Sequence, residues 1–186
     1  MTYKGINRAE WKHINESRKE PISKSFSERR SLKCVFISHQ KKDRQFALSV
    51  AKAIKEAGID VYFDEDDSTL EQARLAGDKK SVTACILKGI ERSSHLLAII
   101  TPQTRNSQWV PFEIGYAYKP CEIKALMANG LAGQTLPEYL DYSDTIISEE
   151  ALADFIQSIN GSYHKLEKSL LTERYHMYSN HLRGVF

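Results

Sequence analysis

His95-Leu-Leu-Ala-Ile-Ile-Thr-Pro-Gln-Thr-Arg-Asn-Ser-Gln-Trp109-Val-Pro-Phe-Glu113-Ile-Gly-Tyr-Ala-Tyr118 is the stretch that decides the fold. Residues 96–100 are an uninterrupted apolar run rich in Ile and Leu, the pattern of a strand buried on both faces of a parallel sheet. A polar loop follows, then a helix. Pro111 has a fixed φ and no N–H, which suit a first turn and break an interior one, so the helix is expected to open near it. Glu113 then falls in the first turn, where the helix dipole and free N–H groups favour an ionised carboxylate. A first-turn acid by itself commonly serves stability alone, so its meaning rests on its surroundings.

The chain has 186 residues, 41% of them hydrophobic, enough for one domain with a sizeable core. A net charge of +2 gives no general argument for nucleic acid or membrane binding. Residues 1–33 carry nine Lys or Arg against four Glu, a local excess that reads as a solvated basic arm. Cys34, Cys85 and Cys121 lack metal-ligand spacing and read as small buried hydrophobes in a reducing compartment. No signal-like or membrane-length apolar run is present, so a cytoplasmic protein is expected.

Taken in order, residues 1–32 form a polar, basic appendage interrupted by Pro21. The ordered domain is expected over 33–161. Lys33-Cys-Val-Phe-Ile-Ser38 is its first strand, and Phe46, Val50, Ala51, Ile54 and Ala57 mark the inner face of a helix that stops at Gly58. Ile59-Asp-Val-Tyr-Phe-Asp64 is a second strand. The long connection 65–80 contains Ser68-Thr-Leu-Glu71, a capping-box pattern, and Gly77, which together predict a short helix. A helix from Ser81, the strand at 96–100, the helix of Glu113, a strand at 123–128, a strand at 144–147 and a helix capped by Ser148 complete the alternation. Residues 162–186 are expected to add a C-terminal helical extension. Alternating strands and helices imply a flavodoxin-like α/β fold, a five-stranded parallel sheet of order 2-1-3-4-5 with helices on both faces. In such sheets ligands bind outside the carboxyl ends of strands one and three, where the order reverses. Those ends are residues 38–43 and 101–109, so the fold alone delivers Glu113 to the crevice.

From residue 33 to about 160 the sequence resembles a Toll/interleukin-1 receptor (TIR) domain. The resemblance rests on Val35-Phe-Ile-Ser-His39, Asp43, Val61-Tyr-Phe-Asp64 and Trp109-Val-Pro-Phe-Glu113, in order and at matching spacing, and is nearest to the NAD-cleaving TIR proteins of Thoeris-type bacterial antiphage defence. It implies cleavage of the nicotinamide–ribose bond of NAD, with NAD as substrate and no cofactor or metal, and release of nicotinamide with ADP-ribose or a cyclic ADP-ribose signal. It also implies self-association through the loop at 65–80 and a downstream effector protein that responds to the product. Two departures stand out. That loop is long and acidic at Asp64-Glu-Asp-Asp67, and Pro111 lies between Trp109 and Glu113.

The chemistry suits the residue types. Breaking an N-glycosidic bond builds an oxocarbenium-like ribosyl cation that a carboxylate stabilises or captures. Nicotinamide leaves as a cation made neutral, so one carboxylate, Glu113, suffices. Phe36 and Trp109 are candidates for an apolar or stacking wall, Ser38 and Asp43 for binding ribose hydroxyls, His39 and Asp64 for further substrate contacts, and Arg105 for the diphosphate. Rival readings are a silent TIR scaffold acting by assembly and a nucleoside deoxyribosyltransferase-like enzyme. A receiver domain is set aside, because Ser38-His39 and Thr101-Pro102 stand where it needs aspartates.

Overall fold

Short apolar runs flanked by helices form strands that bury both faces, and the computed structural model shows five of them. It describes residues 4–10, 33–127, 137–140, 143–146 and 149–160. The strands β1 (Cys34–Ser38), β2 (Asp60–Tyr62), β3 (His95–Ile100), β4 (Glu122–Met127) and β5 (Asp144–Ile146) pair in parallel, in the order β2-β1-β3-β4-β5. This is the flavodoxin-like order expected from the sequence. Helices α1 (Arg44–Glu56), α2 (Ser68–Leu75), α3 (Lys79–Glu91) and α4 (Trp109–Ala117) lie in the crossovers, and α5 (Glu149–Asn160) follows β5.

Strand alternation splits the core in two. Phe36, Leu96, Ala98 and Ile100 point to one face and pack with Leu70, Ile86, Ile90 and Ile114 of α2, α3 and α4. Val35, Ile37, Leu97 and Ile99 point to the other and meet Phe46 and Ile54 of α1 and Phe155 and Ile156 of α5. Helix ends follow expected chemistry with small shifts. Gly58 and Gly77 take positive φ, 79° and 66°, just beyond α1 and α2, as left-handed helix stops do. The cap of α2 is Asp67, not Ser68: its carboxylate accepts from the backbone of Thr69 and Leu70, two of the helix's unpaired donors. Asp78 does the same for α3, which therefore opens at Lys79, two residues before Ser81.

The domain start drawn at Lys33 leaves out a short run that sits on the sheet. Asn7 forms a parallel bridge with Val61, and Val61 N donates to Ile6 O at 2.9 Å. Arg8 pairs with Asp60 at 2.8 Å, and a Cβ at Gly5 would lie 2.0 Å from the carbonyl oxygen of Ile59, so only glycine permits that approach. The stretch of the appendage that holds Pro21, the Ser148 cap and the C-terminal helix lie outside the described residues. Among the described residues no helix is long and apolar enough to cross a membrane.

Candidate active site

β1 and β3 are neighbours whose crossovers leave on opposite faces, which opens a crevice beyond their carboxyl ends. Ser38 ends β1 and Thr101 follows β3. Their partners come from elsewhere in the chain: Ser38 Oγ donates to Glu113 Oε2 at 2.6 Å, and Thr101 Oγ1 donates to Asp43 Oδ2 at 2.8 Å. Each contact ties one strand end to the segment on the far side of the crevice.

Glu113 is not in a first turn. The helix opens at Trp109, two residues before Pro111, which then occupies the third position. A helix's first four N–H groups have no intrahelical acceptor, so proline there costs no hydrogen bond. Glu113 moves into the second turn and inward, to 4% exposure. Its expected ionised state changes accordingly. Burial pushes the Glu113 pKa from 4.5 up to about 8, and the neighbouring Asp64 charge pushes the same way. The Ser38 hydrogen bond and the charges of His39 and Arg74 oppose them.

Asp64 lies beside it for a register reason. β1 and β2 pair Val35 with Val61 and Phe36 with Tyr62, so two places further on Ser38 is level with Asp64, on the face that carries Glu113. Asp64 is also buried, and burial raises its pKa despite His39 and an Arg74 ion pair at 3.2 Å. His39 stacks on Phe63 with ring centroids 4.7 Å apart. Its Nε2 is 3.5 Å from Glu65 Oε1, an ion-pair distance too long to be a good hydrogen bond, and Nε2 is a buried atom with no hydrogen bond among the described residues. Burial works against charge on His39, but Glu65, Asp64 and the Ile37 carbonyl outweigh it and raise the pKa. Glu65 is correspondingly lowered: burial opposes its charge, while His39 and Arg44, the latter at 2.5 Å, prevail. Asp43 keeps Oδ1 buried with no hydrogen-bond partner among the described residues, and burial raises its pKa against Thr101, His39 and Lys42.

Ser38, His39, Asp43, Asp64 and Glu113 thus gather around one crevice. Phe36 does not join them. It is fully buried and stacks on Tyr62 at 5.6 Å, a core residue with no surface for a ligand, because the residue two places before the strand end lies beneath the site. Trp109 is 39% exposed and meets Phe112 edge to face at 5.7 Å. Arg105 lies in the 3-10 turn Pro102–Asn106, and its side chain is outside the described residues. Sequence reasoning missed Thr101, Glu65, Arg44 and Arg74 as parts of the network. The acidic run at 64–67 was the one signal for the two arginines, since packed acids need cations. Among the described residues no three His, Cys, Asp or Glu side chains cluster to hold a metal.

A parallel sheet of this order, with acids gathered at its switch point, places the chain in a class confirmed by comparison: residues 35–157 match the TIR-domain family, and the chain belongs to it. Among individual relatives, a Cytobacillus dafuensis protein bearing the provisional name cyclic ADP-D-ribose synthase TIR2 is 32% identical over 84 residues. The match spans 45% of this chain and 22% of that relative's length.

Proposed function

We propose that the chain cleaves the nicotinamide–ribose bond of NAD, with Glu113 as the carboxylate that faces the ribosyl cation. The observation that carries this reading is the Ser38–Glu113 hydrogen bond, which holds a buried carboxyl at the mouth between β1 and β3. The bond between ribose C1′ and the pyridinium nitrogen breaks with its electron pair going to the ring, which leaves neutral. Positive charge appears on the ribose, and a preorganised carboxylate in a dry site stabilises it far more than one in water does. Water then delivers ADP-ribose, or a nucleophile of the same molecule closes a cyclic product. Water or a hydroxyl acceptor loses one proton to solvent, whereas a ring nitrogen takes up the positive charge that leaves the ribose. The relative's name supports the cyclic outcome.

The raised Glu113 pKa gives this reading a pH signature. In the resting site below about pH 8 the carboxyl holds its proton, whereas the arriving pyridinium favours the carboxylate. Ser38 holds the catalytic oxygen, Asp43 and His39 line the ribose side, and Trp109 offers an aromatic face. The loop at 65–80 is the self-association surface in this reading, and Leu75, 82% exposed at the end of α2, supports it. A cytoplasmic antiphage role, with an effector reading the product, completes the proposal. The deciding experiment measures nicotinamide release from NAD by concentrated protein and by Glu113→Gln, with mass spectrometry of the ribosyl product. Release that survives the substitution removes Glu113 from the mechanism. No release by the parent at any concentration favours the scaffold, and turnover of nucleosides instead of NAD favours a deoxyribosyltransferase.

A further inference from the structure

Asp64 and Glu65 ride on a single 3-10 turn, Asp64–Asp66, that leads from Phe63 at the end of β2 toward α2. Asn7, in the run that lies along β2, holds this turn at both ends. Its Oδ1 accepts from Phe63 N at 3.1 Å, and its Nδ2 donates to Asp66 Oδ2 at 2.9 Å. The same oxygen accepts from Ala9 N at 3.1 Å, and the same nitrogen lies 3.4 Å from Glu10 Oε1. Two N–H groups face the amide oxygen and two carboxylates face its nitrogen, so the orientation of the amide is fixed and its bonding capacity is used in full. Asn7 is buried, whereas Lys4 and Glu10 at the ends of the run are exposed.

What the turn carries is one side of the crevice. The Phe63 ring is the surface on which His39 stacks, and Glu65 is the carboxylate 3.5 Å from His39 Nε2. Asp64 stands between the two residues that Asn7 holds. Every link is a contact: amide to Phe63 backbone, Phe63 ring to His39 ring, amide to the far end of the turn that bears Asp64. We propose that Asn7 is a positioning residue of the site, which by clamping residues 63–66 fixes the direction of Asp64 and the seat of His39. It stands ahead of residues 35–157, the stretch that the family match covers. The inference rests on the NAD-cleavage reading for its kinetic consequence, though not for its geometry. Its rival is a role in docking the run alone. Arg8 serves that end, since it pairs with Asp60 at 2.8 Å and donates to Arg92 O at 3.3 Å, partners that lie outside the turn.

The test uses the whole chain with Asn7→Ala, Asn7→Asp, Asp66→Ala, the exchange of Asn7→Asp with Asp66→Asn, and Arg8→Gln. Each is read by melting temperature, by KM and kcat for nicotinamide release, and by the NMR signals of the His39 ring, identified by their loss in His39→Gln. Stacking on Phe63 shifts those signals, so they report the seat of His39 whether or not NAD is turned over. Asn7→Asp sets two carboxylates in contact, and the exchange rebuilds the bond with donor and acceptor reversed. Asn7→Ala and Asn7→Asp should move the His39 signals and raise KM about three- to tenfold, the loss of about one net hydrogen bond, with kcat within about twofold of the parent. The exchange should return both readings to the parent's. Arg8→Gln should melt lower with both readings unchanged. Parent-like signals or a parent-like KM in a folded Asn7→Ala overturns the inference, as does an exchange that fails to restore what Asn7→Asp lost. Equal changes in Arg8→Gln also overturn it, because Asn7 then only docks the run. Should the Asn7 variants not fold, Asp66→Ala removes the same bond from its more exposed end, and parent-like readings there overturn the inference. If the His39 signals move as stated but neither parent nor variant releases nicotinamide, the positioning stands and the enzymatic reading falls.

Discussion

The two ends of β1 and β3 are both lined with buried polar groups, and they are built on opposite terms. At the amino end Ser94 Oγ donates to Cys34 O at 3.0 Å, accepts from Cys34 N at 3.1 Å and lies 2.8 Å from His95 Nδ1. Ser93 Oγ donates to Gly89 O, and Cys121 Sγ lies against the Ile90 and Ser93 carbonyls. Burial raises the Cys34 thiol to about 11, so it stays neutral and inert. At the carboxyl end Asp43 Oδ1 and His39 Nε2 have no hydrogen-bond partner among the described residues, and three carboxyls are pushed upward. A satisfied polar cluster rigidifies a fold, whereas groups left wanting partners cost stability and persist where a ligand completes them. The same two strands therefore carry a satisfied polar cluster at one end and the candidate site at the other.

Substitutions that break this contrast rank by size. Glu113→Gln should cut nicotinamide release by about a hundred- to thousandfold, the usual loss on removing one preorganised partner of a transition state, measured as kcat/KM at pH 8. At the other end, Ser94→Ala should lower stability by about 1 to 3 kcal/mol, because Cys34 N–H loses its buried acceptor, while kcat/KM stays within about tenfold of the parent. A Ser94 variant with normal melting and lost activity would erase the distinction between the ends.

Smaller effects sharpen it. The acid limb of kcat/KM should rise with pH toward about 8, where Glu113 ionises, and Ser38→Ala should move that limb to higher pH, since Ser38's hydrogen bond favours the carboxylate. A limb near 4.5 in the parent would show that Glu113 does not carry the proton. The smallest effect is in melting temperature. A folded pKa above the unfolded value means the native state holds a proton that the unfolded chain gives up, so this group's contribution is most favourable below about pH 4.5 and declines as pH rises through about 8. Gln escapes that decline. Glu113→Gln should therefore melt above the parent at pH 8 to 9 and close to it near pH 5, read by calorimetry at both values.

The sheet was legible because it needs only local patterns: apolar runs, glycine stops and alternating elements. The depth of Glu113 was not. Pro111 reads as a helix opening, yet proline is equally free of cost two places further in, and those two places turn the next acid from the surface toward Ser38. Phe36 failed as a wall for a related reason, since its neighbour Ser38, not Phe36 itself, stands at the strand's mouth. The ties from Arg74 to Asp64, Arg44 to Glu65 and Asp43 to Thr101 join residues from separate elements, and only the crossovers bring them together. Likewise residues 4–10 dock largely through polar contacts, namely backbone bonds, the Arg8–Asp60 ion pair and the Asn7 side chain against Phe63 N and Asp66, so no hydrophobic pattern announced them.

β2 is the outer strand on its side, and an outer strand with open N–H and C=O groups is a template onto which another chain's backbone adds. Here residues 4–10 of the same chain take that place: Val61 N donates to Ile6 O, and Ile6 N to the Asp60 carboxylate at 3.1 Å. Copies that meet along this flank must do so through side chains, which are specific and reversible, instead of by zipping backbones. Removing the run would trade a selective contact for an adhesive one.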